Sequence, residues 1–330
     1  IIFFRFSGLF DLEQFLLAFC LIYAVQALVL LAGIFRFDKP GLIPDFAFIK
    51  GSIGMWPILR YGLIITLTAL NSVTLKYIDT MFVGRISLEM VAIYSVAAFL
   101  GLAVEIPLNA LERIANPSIS HALARGDMPV VRTVYHDSSR ALLLIGGWLF
   151  LMVALNVQDL FTFLPQEYSA GVIVAQVISF GALINMGTGV NYPILANSKK
   201  YIWGSVFLVV LLLLTIVGNI LLIPVYGMLG PAISGCLASI VYNALKFEYI
   251  RRNFGLQPFD LATLKHALLI ASCLLLGMVI PLHLDPILSM LVRTLLVSCA
   301  YLAGVVLLRT SRDLYHHIPE RWMKRLPFLH

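Results

Sequence analysis

The sequence predicts an all-α protein that crosses a membrane many times. Three observations carry this. Of 330 residues, 60% are hydrophobic and only 12% charged, against about 25% charged in a soluble domain. The mean hydropathy is +0.94. Uncharged runs cover residues 14–35, 61–75, 90–104, 141–158, 168–198, 201–245, 266–284 and 294–308, and a spanning helix needs roughly 20 apolar residues. Such a composition excludes an ordinary soluble globule, a disordered chain and a fibrous protein. Strands are excluded as well: backbone exposed to lipid must satisfy its own hydrogen bonds, and no alternating barrel segments are present.

Taken in order, nine spans are expected, at about 14–35, 55–78, 89–112, 139–157, 170–192, 201–222, 229–249, 264–283 and 287–308. The run 201–245 is too long for one helix. Its break is expected at Ile223-Pro224-Val225-Tyr226-Gly227-Met228-Leu229-Gly230-Pro231, because Pro and Gly interrupt helices most strongly. Two intervening segments are more than turns. Residues 36–54, with Pro40, Pro44 and Phe46-Ala47-Phe48-Ile49, read as an interfacial linker. Residues 114–138 read as two short amphipathic helices parted at Gly126-Asp127.

Orientation follows from the cations. Alternate loops collect Arg36, Lys39, Lys50, Arg113, Arg125, Arg132, Arg140, Lys199, Lys200, Lys246, Arg251, Arg252, Lys265, Arg309, Arg312, Arg321, Lys324 and Arg325, which is 18. The other side holds Arg5, Lys76 and Arg85, which is 3. The expected topology therefore has a cytoplasmic C-terminus and a chain that starts outside. The first residues carry neither Met nor a basic signal region, so the chain reads as the C-terminal portion of a longer protein. The net charge of +6 reads as topology and contact with anionic membrane lipid, not as a nucleic-acid surface. The cysteines, Cys20, Cys236, Cys273 and Cys299, lie in apolar segments without metal spacing or a disulfide framework. No glycine-rich phosphate loop or metal-ligand set is present, so no cofactor and no metal are expected.

Polar residues inside spans are the functional candidates. Thr68, Ser72, Lys76 and Asp79 share one helix face in the second span. They read as a polar stripe along a cavity, or as a local Lys76–Asp79 pair at the interface. Arg60, about a turn inside the same span, is shaped for a diphosphate or serves as an interfacial anchor. The third span carries Tyr94, Ala98, Gly101, Glu105, Asn109 and Glu112 on one face, with Pro107 expected to bend it. Glu105 reads as a coupling or gating carboxylate, or as a structural acid between helices that is either neutral or assisted by Arg113. Arg293 in the last span, with Asp285 at the mouth, reads as a contact for lipid phosphate or as a snorkelling cation. His266 and His283 read as interfacial. The pairs Gly230/Ser234 and Gly181/Asn185 read as helix packing.

Several segments, in order, resemble the C-terminal half of the polysaccharide flippases of the multidrug/oligosaccharidyl-lipid/polysaccharide exporter superfamily. These are Ile78-Asp79-Thr80-Met81-Phe82-Val83-Gly84 with Val91-Ala92-Ile93-Tyr94; Asn116-Pro117-Ser118-Ile119-Ser120 with Gly126-Asp127; Leu164-Pro165-Gln166-Glu167-Tyr168-Ser169-Ala170; Asn197-Ser198-Lys199-Lys200; and Asn219 with Tyr226-Gly227-Met228-Leu229-Gly230-Pro231-Ala232-Ile233. Ala92 and Ser198 stand where the family has Gly, and Pro231 where it has Ala.

The resemblance implies two six-helix lobes joined by a cytoplasmic linker. Residues 1–35 would end an N-lobe, 36–54 would be the linker, 55–250 the six-helix C-lobe, 251–308 two additional helices and 309–330 a cytoplasmic tail. Five upstream helices would be missing. The extra pair favours the flippase branch over twelve-helix multidrug exporters. The implied function is transfer of an undecaprenyl-diphosphate-linked oligosaccharide across a bacterial inner membrane by alternating access, beside glycan-assembly enzymes as partners and without enzymatic activity. The alternatives are cation or drug antiport, or a membrane glycan polymerase or ligase. The last is disfavoured by an outer loop at 158–168 that offers only Asp159 and Glu167.

Overall fold

The computed structural model describes residues 12–37, 55–279 and 285–308. Most of the expected linker, the C-terminal tail and His283 lie outside the described residues. Among those described, every regular element is helical. The chain divides into two compact units, Ile1–Gly62 and Leu63–His330. The first contains α1 (Leu12–Phe37) and the start of α2 (Met55–Val83).

The second unit continues with α3 (Leu88–Leu102), α4 (Ile106–Arg125), α5 (Met128–Phe161), α6 (Gly171–Gly187), α7 (Asn191–Ala196), α8 (Ile202–Tyr226), α9 (Leu229–Phe254), α10 (Leu261–Val279) and α11 (Pro286–Leu307). Among the described residues seven helical stretches are long and apolar enough to cross a membrane: Leu17–Arg36, Leu88–Arg125, Met128–Phe161, Gln166–Gly187, Ile202–Tyr226, Leu261–Val279 and Pro286–Leu307. The two other expected spans coincide with α2, of 29 residues, and α9, of 26. The protein is a multi-pass helical membrane protein.

The helix ends follow local chemistry. Ser87 caps α3, its Oγ accepting from Met90 N at 3.1 Å. At Pro107 the expected bend is present. Proline has no N–H to give the carbonyl of Ala103, so that carbonyl accepts from Ile106 N across a 3₁₀ turn, Ala103–Glu105. The break at Gly126-Asp127 is also present: Gly126 ends α4 at φ 73°, and Asp127 caps α5 through Val130 N at 3.3 Å. The two short surface helices expected over 114–138 are not separate elements. They are continuations of the third and fourth spans, as the C-terminal part of α4 and the N-terminal part of α5. The long apolar run turns back at Gly227, φ 55°, between α8 and α9.

The fifth span departs most from expectation. It breaks at Thr188-Gly189-Val190, and α7 resumes at Asn191. Gly189 has φ 69°, and a Cβ there would approach Ser138 Oγ and Ser139 N at 3.0 Å. The freed backbone is satisfied by side chains. Ser139 Oγ donates to Gly187 O at 2.6 Å, and Val190 N donates to Ser138 Oγ at 3.2 Å.

Lipid offers no hydrophobic force between helices, so close packing depends on small residues. A Cβ on Gly101 would meet Ile178 at 2.7 Å, which fits α3 tightly to α6. A Cβ on Gly230 would lie 2.8 Å from the backbone of Leu222 and Ile223, and Ser234 Oγ donates to Thr215 O at 3.0 Å. That pair is packing, as expected. The helices α10 and α11 pack on α5. The outer surface is apolar: Phe99, Ile106, Leu221, Leu275 and Leu295 are all exposed. Contiguous exposure on this scale fits contact with acyl chains rather than water.

Candidate functional site

The second unit holds a cavity of about 640 Å³ walled by α2, α3, the start of α4, α6, α8 and α9. Its polar lining includes Asp79, Tyr94, Glu105, Asn109, Asn185 and Ser239. The apolar helix lengths bring these residues inward, and the Pro107 turn sets Glu105 at the bend. Counted along the helix from Leu88, Glu105 lies about 26 Å in, against an apolar layer of about 30 Å, which is between the middle and the far end of the span. A carboxylate there is costly unless a cavity or a partner serves it.

Two acidic centres face this space. Asp79, half-buried, accepts from Asn219 Nδ2 at 2.8 Å through Oδ1 and from the Tyr94 hydroxyl at 3.3 Å through Oδ2. Glu105, also half-buried, accepts from Asn185 Nδ2 at 3.1 Å. The side-chain amide of Asn109 donates to the Glu105 carbonyl at 3.3 Å. The expected face of the third span therefore does line a cavity. The partner of Glu105 is Asn185, not Arg113, which is exposed.

The structure adds a cation that sequence reasoning placed elsewhere. Lys246, counted among loop cations, is 3% exposed within α9. Its Nζ lies 4.0 Å over the Tyr242 ring, within electrostatic reach of Glu112 and Glu105. A signal was present in the spacing: Ser239, Tyr242, Asn243 and Lys246 share a helix face. The charges that follow, Glu248, Arg251 and Arg252, made Lys246 look like the edge of a loop. Asn243 extends this polar column to the helix break, accepting from Thr188 Oγ1 at 3.1 Å, while Asn191 donates to Thr188 at 2.9 Å.

The remaining candidates fall as follows. Arg60 is exposed on α2. The side chains of Thr68, Ser72 and Lys76 lie outside the described residues, so the expected Lys76–Asp79 pair does too. Arg293 neither snorkels nor waits for lipid phosphate. Its Nη1 pairs with Asp159 Oδ2 at 2.7 Å and donates to Leu155 O at 2.7 Å, clasping α11 to α5. The expected interfacial His266 is fully buried at the start of α10, its Nδ1 3.1 Å from Ala262 O. Asn185, read as packing, is the Glu105 partner. Its neighbour Gly181 keeps the packing role, with a virtual Cβ 3.4 Å from Cys236.

At the loop end of the bundle, Arg140 pairs with Asp260, which caps α10 by accepting from Thr263 N at 2.9 Å. Partial burial pushes the Asp260 carboxyl up, but hydrogen bonds from Arg140 and Thr263 outweigh it and hold it at about 2. Among the described residues no group of three His, Cys, Asp or Glu side chains is arranged to hold a metal ion.

Fold and site together define a multi-pass helical protein with a polar, acid-bearing cavity inside its bundle. No protein-family model matches the chain, and no curated protein matches its sequence.

Proposed function

We propose that this chain belongs to a transporter that flips undecaprenyl-diphosphate-linked oligosaccharide across the bacterial inner membrane by alternating access, with its C-terminal tail in the cytoplasm. The observation that carries the reading is the cavity: carboxylates and amides facing a space inside helices whose outer faces are apolar. Repeat-built transporters bind their cargo and coupling ions at such interior sites. The motif-like segments add support. Two of them, remote in sequence, touch: Asn197 Nδ2 donates to Asn116 Oδ1 at 2.6 Å. The two helices beyond α9 fit the flippase branch, and α11 is clasped to α5 through Arg293.

A second reading, cation antiport within the same superfamily, draws on the lining itself. Asp79 and Glu105 face the cavity beside Tyr94 and Tyr242, and no Lys or Arg is among the lining residues described. This composition suits a cation, either as coupling ion or as cargo.

Deletion of the encoding gene in its host separates the two. The flippase reading expects lipid-linked oligosaccharide to accumulate on the cytoplasmic leaflet, with unchanged sensitivity to cationic drugs. Raised drug sensitivity with normal surface glycan would replace it by the antiport reading.

A further inference from the structure

We infer that the junction of α8 and α9 is a binding site for the headgroup phosphate of an anionic phospholipid. The site does not depend on what the cavity transports.

The two helices are antiparallel, and their ends meet where Lys200 donates to Asn253 Oδ1. Four cations gather there: Lys199, Lys200, Arg251 and Arg252. Glu248 is the carboxylate hydrogen-bonded among them. Arg251 gives Glu248 both Nε and Nη2, whereas Arg252 gives it Nε. The terminal nitrogens of Arg252, 75% exposed, face outward with no hydrogen bond among the described residues. The corner therefore keeps an excess of positive charge and a free guanidinium edge, the geometry that binds phosphate.

One of the cations, Lys200, rests on an aromatic cluster. Trp203 lies 5.3 Å from Tyr249 and 6.0 Å from Phe207, and Tyr249 and Phe207 meet edge to face at 5.5 Å. Lys200 Nζ sits 5.9 Å over the Tyr249 ring.

The corner also lies on a polar–apolar boundary. The lysines precede α8 and give way within the next three turns to exposed Ile202, Val206 and Val209. On α9 the arginines give way to exposed Leu245 and Val241. A half-exposed Trp at such a boundary marks the headgroup level of a bilayer. Phosphate at the cations and acyl chains along Val206 and Val209 match one molecule with both parts. A soluble phosphate would leave the apolar half of the corner unused.

The test uses the full chain with Trp56, Trp148 and Trp322 changed to Phe, so that Trp203 alone reports. The protein is placed in bilayers of phosphatidylcholine containing either brominated phosphatidylglycerol or brominated phosphatidylcholine. Brominated phosphatidylglycerol should quench Trp203 at a mole fraction lower by on the order of ten-fold. Lys199→Gln/Lys200→Gln/Arg252→Gln should abolish that difference, and Lys199→Arg/Lys200→Arg should keep it. A matched protein retaining only Trp148 should show no preference. Equal quenching of Trp203 by the two lipids overturns the proposal. So does the same preference at Trp148, which would mean general charge attraction. Reversal by millimolar inorganic phosphate also overturns it, since the ligand would then be the free anion.

Discussion

Asn185 on α6 donates its side-chain amide to Glu105 at 3.1 Å, and Glu105 sits on the 3₁₀ turn that Pro107 imposes. One hydrogen bond thus joins the bent element of the bundle to the helix that itself breaks three residues later.

Glu105→Gln preserves this bond, because the amide oxygen still accepts from Asn185 and an amide is cheaper to bury than a charge. The protein should reach the membrane at its normal level and lose at least ten-fold in glycan translocation, read from surface glycan in a complemented deletion strain. Glu105→Leu should in addition lower stability by about 1–3 kcal/mol, since Asn185 is left unpaired. Full translocation by Glu105→Gln would remove the carboxylate from the mechanism and pass the role to Asp79.

Lys246 is buried where only acids justify it. Lys246→Met should leave the half-buried Glu112 and Glu105 without a nearby cation and lower the melting temperature. Adding Glu112→Gln should recover a large part of that loss, because the two changes are coupled. Thermal unfolding of the purified proteins in detergent measures both. An unchanged melting temperature for Lys246→Met would show that the three charges do not act together.

The docking of α10 and α11 on α5 depends on Gly147. A Cβ there would lie 2.5 Å from Ile270 Cδ1 and 2.9 Å from the Tyr301 hydroxyl. Gly147→Val should destabilise the protein by about 1–3 kcal/mol. Gly187→Ala is the control, since its Cβ would meet only Leu143 Cδ1, at an ordinary 3.4 Å. Equal melting temperatures for the two variants would mean that α10 and α11 are not tightly packed.

How much of this was legible in the sequence depends on what each residue needed. The helices were legible because lipid forbids other backbone structure, and the Pro107 bend because proline lacks a donor whatever its neighbours. The turns at Gly126-Asp127 and Gly227 were legible for the same local reason. The break at Thr188-Gly189-Val190 was not: Gly189 is one glycine in an apolar run, and the serines that satisfy the freed backbone come from Ser138 and Ser139 on another helix. Arg293, His266 and Lys246 were misread together. Spacing gives a residue's face and depth, but Asp159, the α5 surface and Glu112 decide whether a cation snorkels or stays inside.

The Arg140–Asp260 pair sets a pH limit on the α9–α10 connection. A carboxyl held at about 2, below its ordinary value of 3.8, contributes stability that is complete above the ordinary value and is lost as pH falls toward the lowered one. Hydrogen exchange of the first turn of α10 should therefore show the same protection at pH 5 and pH 8, after correction for intrinsic rates, and lose it near pH 2. Asp260→Asn should weaken that protection at pH 7. A wild-type change between pH 5 and pH 8 would assign control of this end to another group.

The continuation of α4 and α5 as far as the turn at Gly126-Asp127 has a practical consequence. A helix of 34 residues is about 51 Å long, against an apolar layer of about 30 Å. Some 20 Å of this helix therefore exceeds the apolar layer, and His121, Arg125 and Arg132 are exposed near the turn that joins it to α4. Membrane proteins with only short loops vanish into their micelles in electron images. Here an antibody fragment clamped to the α4–α5 turn would serve as an asymmetric fiducial for aligning particles.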